Sequence, residues 1–122
     1  MEFVIKRIYE APAPEDNARI LVDRLWPRGV SKQKADLTEW LKDIAPSPAL
    51  REWFAHESER FAIFREKYLA ELEGEPAKQQ ATAHLLQLGQ AGRVTLLYAA
   101  KSLQVNHALV LKEYLDKRAK AM

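Results

Sequence analysis

"RILVDRLWPRGVSK", residues Arg19 to Lys32, opens with three consecutive aliphatic side chains, Ile20, Leu21 and Val22, and turns abruptly polar at Asp23 and Arg24. An unbroken apolar run of this length, bounded by turn-forming residues, reads as a β-strand covered on both faces. Pro27 then fixes the backbone, Trp26 is expected in the core, and Arg28 and Gly29 follow. Three charged side chains therefore stand where a buried strand gives out. In open α/β sheets that is where ligands bind, beyond the carboxyl ends of strands and beside helix N-termini.

Outward from this strand, "FVIKRIY" (Phe3 to Tyr9) is rich in β-branched and aromatic residues and reads as a first strand. "APAPEDN" is a loop, and "RVTLLYAA" (Arg93 to Ala100) is a third strand. Between them the apolar period lengthens. In "DLTEWLKDI", Leu37, Trp40, Leu41 and Ile44 fall at helical spacing, with Asp36 and Glu39 as a cap. Ser47 and Pro48 start a helix over "PSPALREWF". Phe61, Phe64, Tyr68 and Leu72 make another stripe, and a further helix follows Pro76 until Gly89 and Gly92. Ser102 is the expected cap of a final helix through "SLQVNHALVLKEYLDKRAK".

This order predicts a single α/β domain over residues 1–122, with a small, mainly parallel three-stranded sheet packed by about five helices. Right-handed crossovers favour the first strand between the second and third, order 2-1-3. The short first connection leaves an antiparallel first pair as the alternative.

Composition removes several chemistries. The chain has no cysteine, so thiol nucleophiles, disulfides and thiolate metal sites are excluded. His56, His84 and His107 are too far apart for a helical pair of ligands, and no metal is expected. Nineteen basic residues against 17 acidic leave a net charge of +2, which does not point to nucleic acid. No glycine-rich phosphate loop is present, so no nucleotide cofactor is expected. The charged start "MEFVIKRIYE" is unlike a secretory leader, and no apolar run approaches the roughly 18 residues of a membrane span. A cytoplasmic location is the expectation.

If the second and third strands are parallel neighbours, Asp23, Arg24 and Arg28 converge with Lys101, Asn106 and His107 at one sheet edge. Arg24, Arg28 and Lys101 would hold an anion such as a phosphate or carboxylate, beside the positive end of the last helix. His107 is the histidine placed for proton transfer near neutral pH, with Asp23 to orient it or share the proton. Plainer roles compete. Asp23 and Arg24, adjacent in a strand, point to opposite faces, and one of them suits a structural ion pair. Arg28 suits loop carbonyls, Lys101 a solvated strand end, and His107 a helix start. His56 fits a helix end and His84 a surface. Two functions follow: a small-molecule enzyme or binding protein for an anionic ligand, or a non-catalytic module meeting a protein or nucleic acid through the same basic rim.

"ILVDRLWPRG", "WLKDIAPS", "LREWF", "FREKYLAEL", "LLYAAK" and "NHALVL" together resemble the YeaO-like family, grouped as domain of unknown function 488. The resemblance runs from about Ile5 to Leu115. It implies an α/β sandwich with a small parallel sheet, and its distinctive polar residues fall on Arg7, Asp23, Arg24, Arg28, Lys101, Asn106 and His107. Broader relatives often carry Cys-His where this chain has Asn106-His107, so thiol chemistry suggested for them cannot operate here. Many members also place an acidic residue after the lysine, where this chain has Ser102. The family is itself uncharacterised and names no reaction.

Overall fold

Charge sorts the strands. β1 (Phe3–Arg7) carries Lys6 and Arg7, whereas β4 (Val94–Tyr98) carries none, and all five β4 residues are buried. A computed structural model describing residues 1–122 accordingly places β4 inside the sheet and β1 at an edge. β2 (Ala18–Leu21) lies on the other side of β4, and β3 (Glu39–Trp40) closes the far edge, giving the order β1-β4-β2-β3 with every pair parallel.

The expected three-stranded sheet of order 2-1-3 is thus corrected twice. The last strand, not the first, lies inside the sheet, because its uncharged run suits burial on both faces and both edges, whereas β1 carries Lys6 and Arg7. The first two strands are not an antiparallel pair. Residues 8–17 reach about 33 Å when extended, enough to return the length of a short strand and step two strand spacings sideways. That crossover needs no helix.

The fourth strand comes from "DLTEWLKDI", where the sequence predicts a helix. Asp36 instead ends a short helix α1 (Lys32–Ala35) in the left-handed conformation at φ 46°. β2 supplies the reason: its outer edge has backbone groups to satisfy. Thr38 N–H donates to Arg19 O at 2.8 Å, Leu41 N–H donates to Leu21 O at 2.9 Å, and Arg19 N–H donates to Thr38 Oγ1 at 3.0 Å. The apparent helical stripe is divided between the two faces of the sheet. Leu37 and Trp40 pack with Leu21 and Leu97, while Leu41 and Ile44 join the main core.

Four helices cover that main face: α2 (Pro48–Phe54), α3 (Phe61–Gly74), α4 (Pro76–Ala91) and α5 (His107–Lys120). Their buried residues meet Ile20, Val22, Val94, Leu96 and Tyr98, the alternate positions that a pleated strand turns to one side. α2 starts as the sequence predicts, with Ser47 Oγ accepting from Leu50 N–H and Pro48 in the first turn. α5 starts later than predicted. Its cap is Asn106, not Ser102, whose hydroxyl instead accepts from the N–H groups of Gln104 and Val105.

The opposite face is thin, with Ile8, Leu21, Ala35 and Leu97 at its centre. Toward the strand starts it becomes polar. Asp16 and Arg19 are buried there, and Thr95 Oγ1 donates to Asp16 O at 2.7 Å.

Gly89 lies inside α4, although the sequence suggests a helix stop. A Cβ there would sit 2.8 Å from Met1 Cγ and 2.9 Å from Phe3 Cζ. Met1 is exposed and can move, but the Phe3 ring is buried. Gly89→Ala is therefore expected to cost on the order of 1 kcal/mol net, because overpacking outweighs the better helix propensity of alanine. Urea denaturation checks this, and a variant as stable as the parent refutes the close contact.

Candidate functional site

The ends of β2 and β4 are stitched together. Val22 N–H donates to Leu97 O at 3.0 Å, and one residue on, Asp23 Oδ2 accepts from Ala99 N–H at 3.0 Å. α5 begins just above, where Asn106, 1% exposed, uses both ends of its amide. Its Oδ1 accepts from Leu109 N–H at 2.8 Å, and its Nδ2 donates to Ser102 O at 2.9 Å. Holding this cap holds His107, the first helical residue.

His107 Nε2 lies 3.0 Å from Val22 O and 3.1 Å from Asp23 Oδ1. A carbonyl oxygen only accepts, so Nε2 carries a proton, and the neutral tautomer that makes this bond has its lone pair on Nδ1. Because that N–H is directed at Val22 O, Asp23 Oδ1 is close without being hydrogen-bonded, and it is a buried acceptor with no partner of its own. A second proton on the ring would turn the contact into an ion pair.

A hollow of about 840 Å³ opens at this edge. Asp23, Arg24, Arg28, Lys101, Asn106 and His107 all line it, so residues eighty places apart in sequence share one concavity. Arg7 does not line it. Its guanidinium donates to Ala100 O at 2.9 Å and Ala99 O at 3.3 Å, tying the end of β4 to the edge strand beside it.

The hollow also contains two basic residues absent from the predicted set, Arg51 and His56. Both come from the end of α2, where Ala55 and His56 turn the chain through consecutive left-handed conformations. Arg51 lies within "LREWF", one of the stretches that carries the family resemblance. That was the available signal. His84 is elsewhere, its Nε2 2.6 Å from Glu39 Oε2 at the sheet edge.

The four cations are not alike. Arg24 is directed at Ala45 O (3.3 Å) and Pro46 O (3.4 Å). The turn bearing those carbonyls is fixed by α3: Tyr68 donates its hydroxyl to Ile44 O at 2.6 Å, and Glu71 accepts from both Ser47 N–H (2.9 Å) and Ser47 Oγ (2.6 Å). Burial, with the negative Glu71 and Asp23 nearby, pushes the Tyr68 hydroxyl well above its ordinary pKa, so it remains a donor. The side chains of Arg28, Arg51 and Lys101 make no hydrogen bond or ion pair within the protein. Below them the floor is aromatic, with Phe54 and Phe64 stacked at 4.3 Å between ring centroids. No group of three or more His, Asp or Glu side chains converges as a metal site would require, and no helix is long and apolar enough to cross a membrane.

A family model described as "Inactive DUF488-N3 subclade" matches residues 2–122. The uncharacterized protein YeaO of Escherichia coli is 45% identical over 115 residues, which cover 94% of this chain and 97% of that protein. The uncharacterized protein Rv3073c of Mycobacterium tuberculosis is 40% identical over 114 residues, 93% of each chain. No solved structure matches.

Proposed function

This chain belongs to the YeaO-like family of domain of unknown function 488, and from that premise and the geometry we propose that it binds a small anionic ligand in the hollow at the ends of β2 and β4. One observation carries the proposal: Arg24, Arg28, Arg51 and Lys101 line a single concavity in which Asp23 is the sole acidic residue. Cations left without protein partners in one hollow repel one another, and an anion relieves that repulsion while accepting their hydrogen bonds. The word "inactive" in the subclade description, together with the absence of cysteine, favours binding over covalent turnover.

Acid–base catalysis by His107 is a second reading, favoured by the ring's orientation. Val22 O holds Nε2, with Asp23 Oδ1 3.1 Å away, which leaves Nδ1 free to exchange a proton. On that reading His107→Ala abolishes turnover of a bound ester with little change in Tm. Binding without any turnover eliminates it.

Calorimetric titration with inorganic phosphate and pyrophosphate tests the binding proposal. Saturable binding is expected, weakened about tenfold by Arg28→Ala or Lys101→Ala, since a hydrogen bond to a charged group contributes about 1.5–3 kcal/mol. Failure of both anions to bind refutes the proposal. If affinity instead falls steeply with salt and depends on Lys117, Arg118 and Lys120, in the last turn of α5 and at the opposite end from His107, the site is a macromolecular binding face.

A further inference from the structure

Resting on the anion-binding reading, we infer that the ligand is a phosphate monoester whose non-phosphate part is largely apolar. Charge sets the head group. Apart from the two histidines, the charged side chains around the hollow carry a net +3. A monocarboxylate offsets one unit of this, whereas a phosphate monoester carries about −1.5 to −2 near pH 7 and offers three acceptor oxygens. Arg28 and Arg51 present unpartnered guanidinium forks, the geometry that grips such oxygens two at a time.

Volume points to a ligand larger than a bare ion. A hollow of about 840 Å³ falls in the range of sites that enclose drug-sized molecules, so a phosphate alone would leave most of it to solvent. What surrounds the remainder is apolar: Leu25, Trp26, Pro27, Phe54, Phe64 and Val105. Leu25 is 59% exposed, an uncovered aliphatic side chain at the rim of a basic site.

Much of the neutral polar lining is already engaged by the protein. Asn106 uses both ends of its amide, Ser102 Oγ accepts from two backbone N–H groups, and Trp26 Nε1 donates to Val30 O. The Asp23 oxygen without a partner is buried, and its other oxygen is held by Ala99 N–H. What remains to recognise the hydroxyls of a sugar or polyol is His56, Nδ1 of His107 and the Ser102 hydroxyl proton, few groups for so large a hollow. Several hydroxyls brought into this hollow would find fewer partners than they lose in water, which is costly, whereas an apolar ring gains from the same burial.

The test is a titration series with phenyl phosphate, glucose 6-phosphate, inorganic phosphate and benzoate. Phenyl phosphate is expected to bind at least about tenfold more tightly than each of the others, the ratio that 1.4 kcal/mol of ring burial produces. Leu25→Asn is expected to weaken phenyl phosphate more than inorganic phosphate. If inorganic phosphate, glucose 6-phosphate or benzoate binds as tightly as phenyl phosphate, the assignment is overturned while the anion pocket stands. If none of the four binds, both fall.

Discussion

Replacing Asp16 with alanine is expected to destabilise the protein by about 3–5 kcal/mol, the usual consequence of removing one member of a buried ion pair. Asp16 sits between two cations. Lys6 Nζ lies 3.0 Å from Asp16 Oδ2, and Arg19, only 3% exposed, donates to the same oxygen. Without the carboxylate, Lys6 can turn outward, but Arg19 is held by Ala35 O and Asp36 O and stays buried with an uncompensated charge. Ala13 N–H also loses its acceptor. The pH dependence has a definite sign. Burial pushes the Asp16 carboxyl up, but hydrogen bonds from Lys6, Ala13 N–H and Arg19 outweigh it and hold the carboxyl below its ordinary value of 3.8. A depressed folded-state pKa gives stability that is present above that ordinary value and lost as pH falls through the lower folded one. Urea unfolding from pH 7 down to pH 2 should therefore show Asp16→Ala with a flatter acid limb than the parent. A loss at pH 7 below about 1 kcal/mol would mean that the ion cluster is solvated and holds nothing.

Phe64→Ala is expected to cost a comparable 3–5 kcal/mol, the range for truncating a fully buried aromatic residue. The ring is 1% exposed, stacks on Phe54 at 4.3 Å and lies 5.9 Å from Tyr68. It is also part of the floor of the hollow. Two readouts should therefore move together, the denaturation midpoint and the affinity for any ligand that uses the floor. Phe64→Leu, which keeps most of the volume, should retain most of the stability, because near-isosteric apolar changes usually cost under about 1.5 kcal/mol. A loss for Phe64→Ala below about 2 kcal/mol would show that the floor collapses readily and is a poor platform for a rigid ligand.

Much of the fold was legible because hydrophobic pattern and burial agree. The uncharged run of β4 and the charges on β1 even contain the central and edge assignments, although a rule about crossover handedness pointed elsewhere. Handedness constrains how strands are joined; it does not say which strand tolerates burial at both edges. The 36–44 segment misled for another reason. Apolar residues at positions 37, 40, 41 and 44 satisfy a helical template, but they are equally spaced for a short strand and turn that feed two cores. What decided between the two was the unsatisfied edge of β2, a partner far away in sequence.

At the hollow, the convergence of Asp23, Arg24 and Arg28 with Lys101, Asn106 and His107 needed β2 and β4 to be parallel and close, and their direct pairing brings these residues together. Arg7 was misplaced because its side chain closes the strand-end carbonyls. Arg51 and His56 were missed as contributors because they reach the hollow from a helix end whose left-handed turn has no glycine to announce it.

The centre of the sheet is the last strand to be made. β1 emerges early from the ribosome, yet its one neighbour in the sheet arrives only once residues 94–98 have cleared the exit tunnel, and β2 until then has only the two-residue β3 beside it. Until then β1 waits without a ladder and β2 with only a short one, so the full sheet depends on late, long-range closure. A chain cut short before Val94 therefore lacks the strand on which both β1 and β2 are built, and any product of premature termination is a substrate for proteases, not a smaller version of the fold.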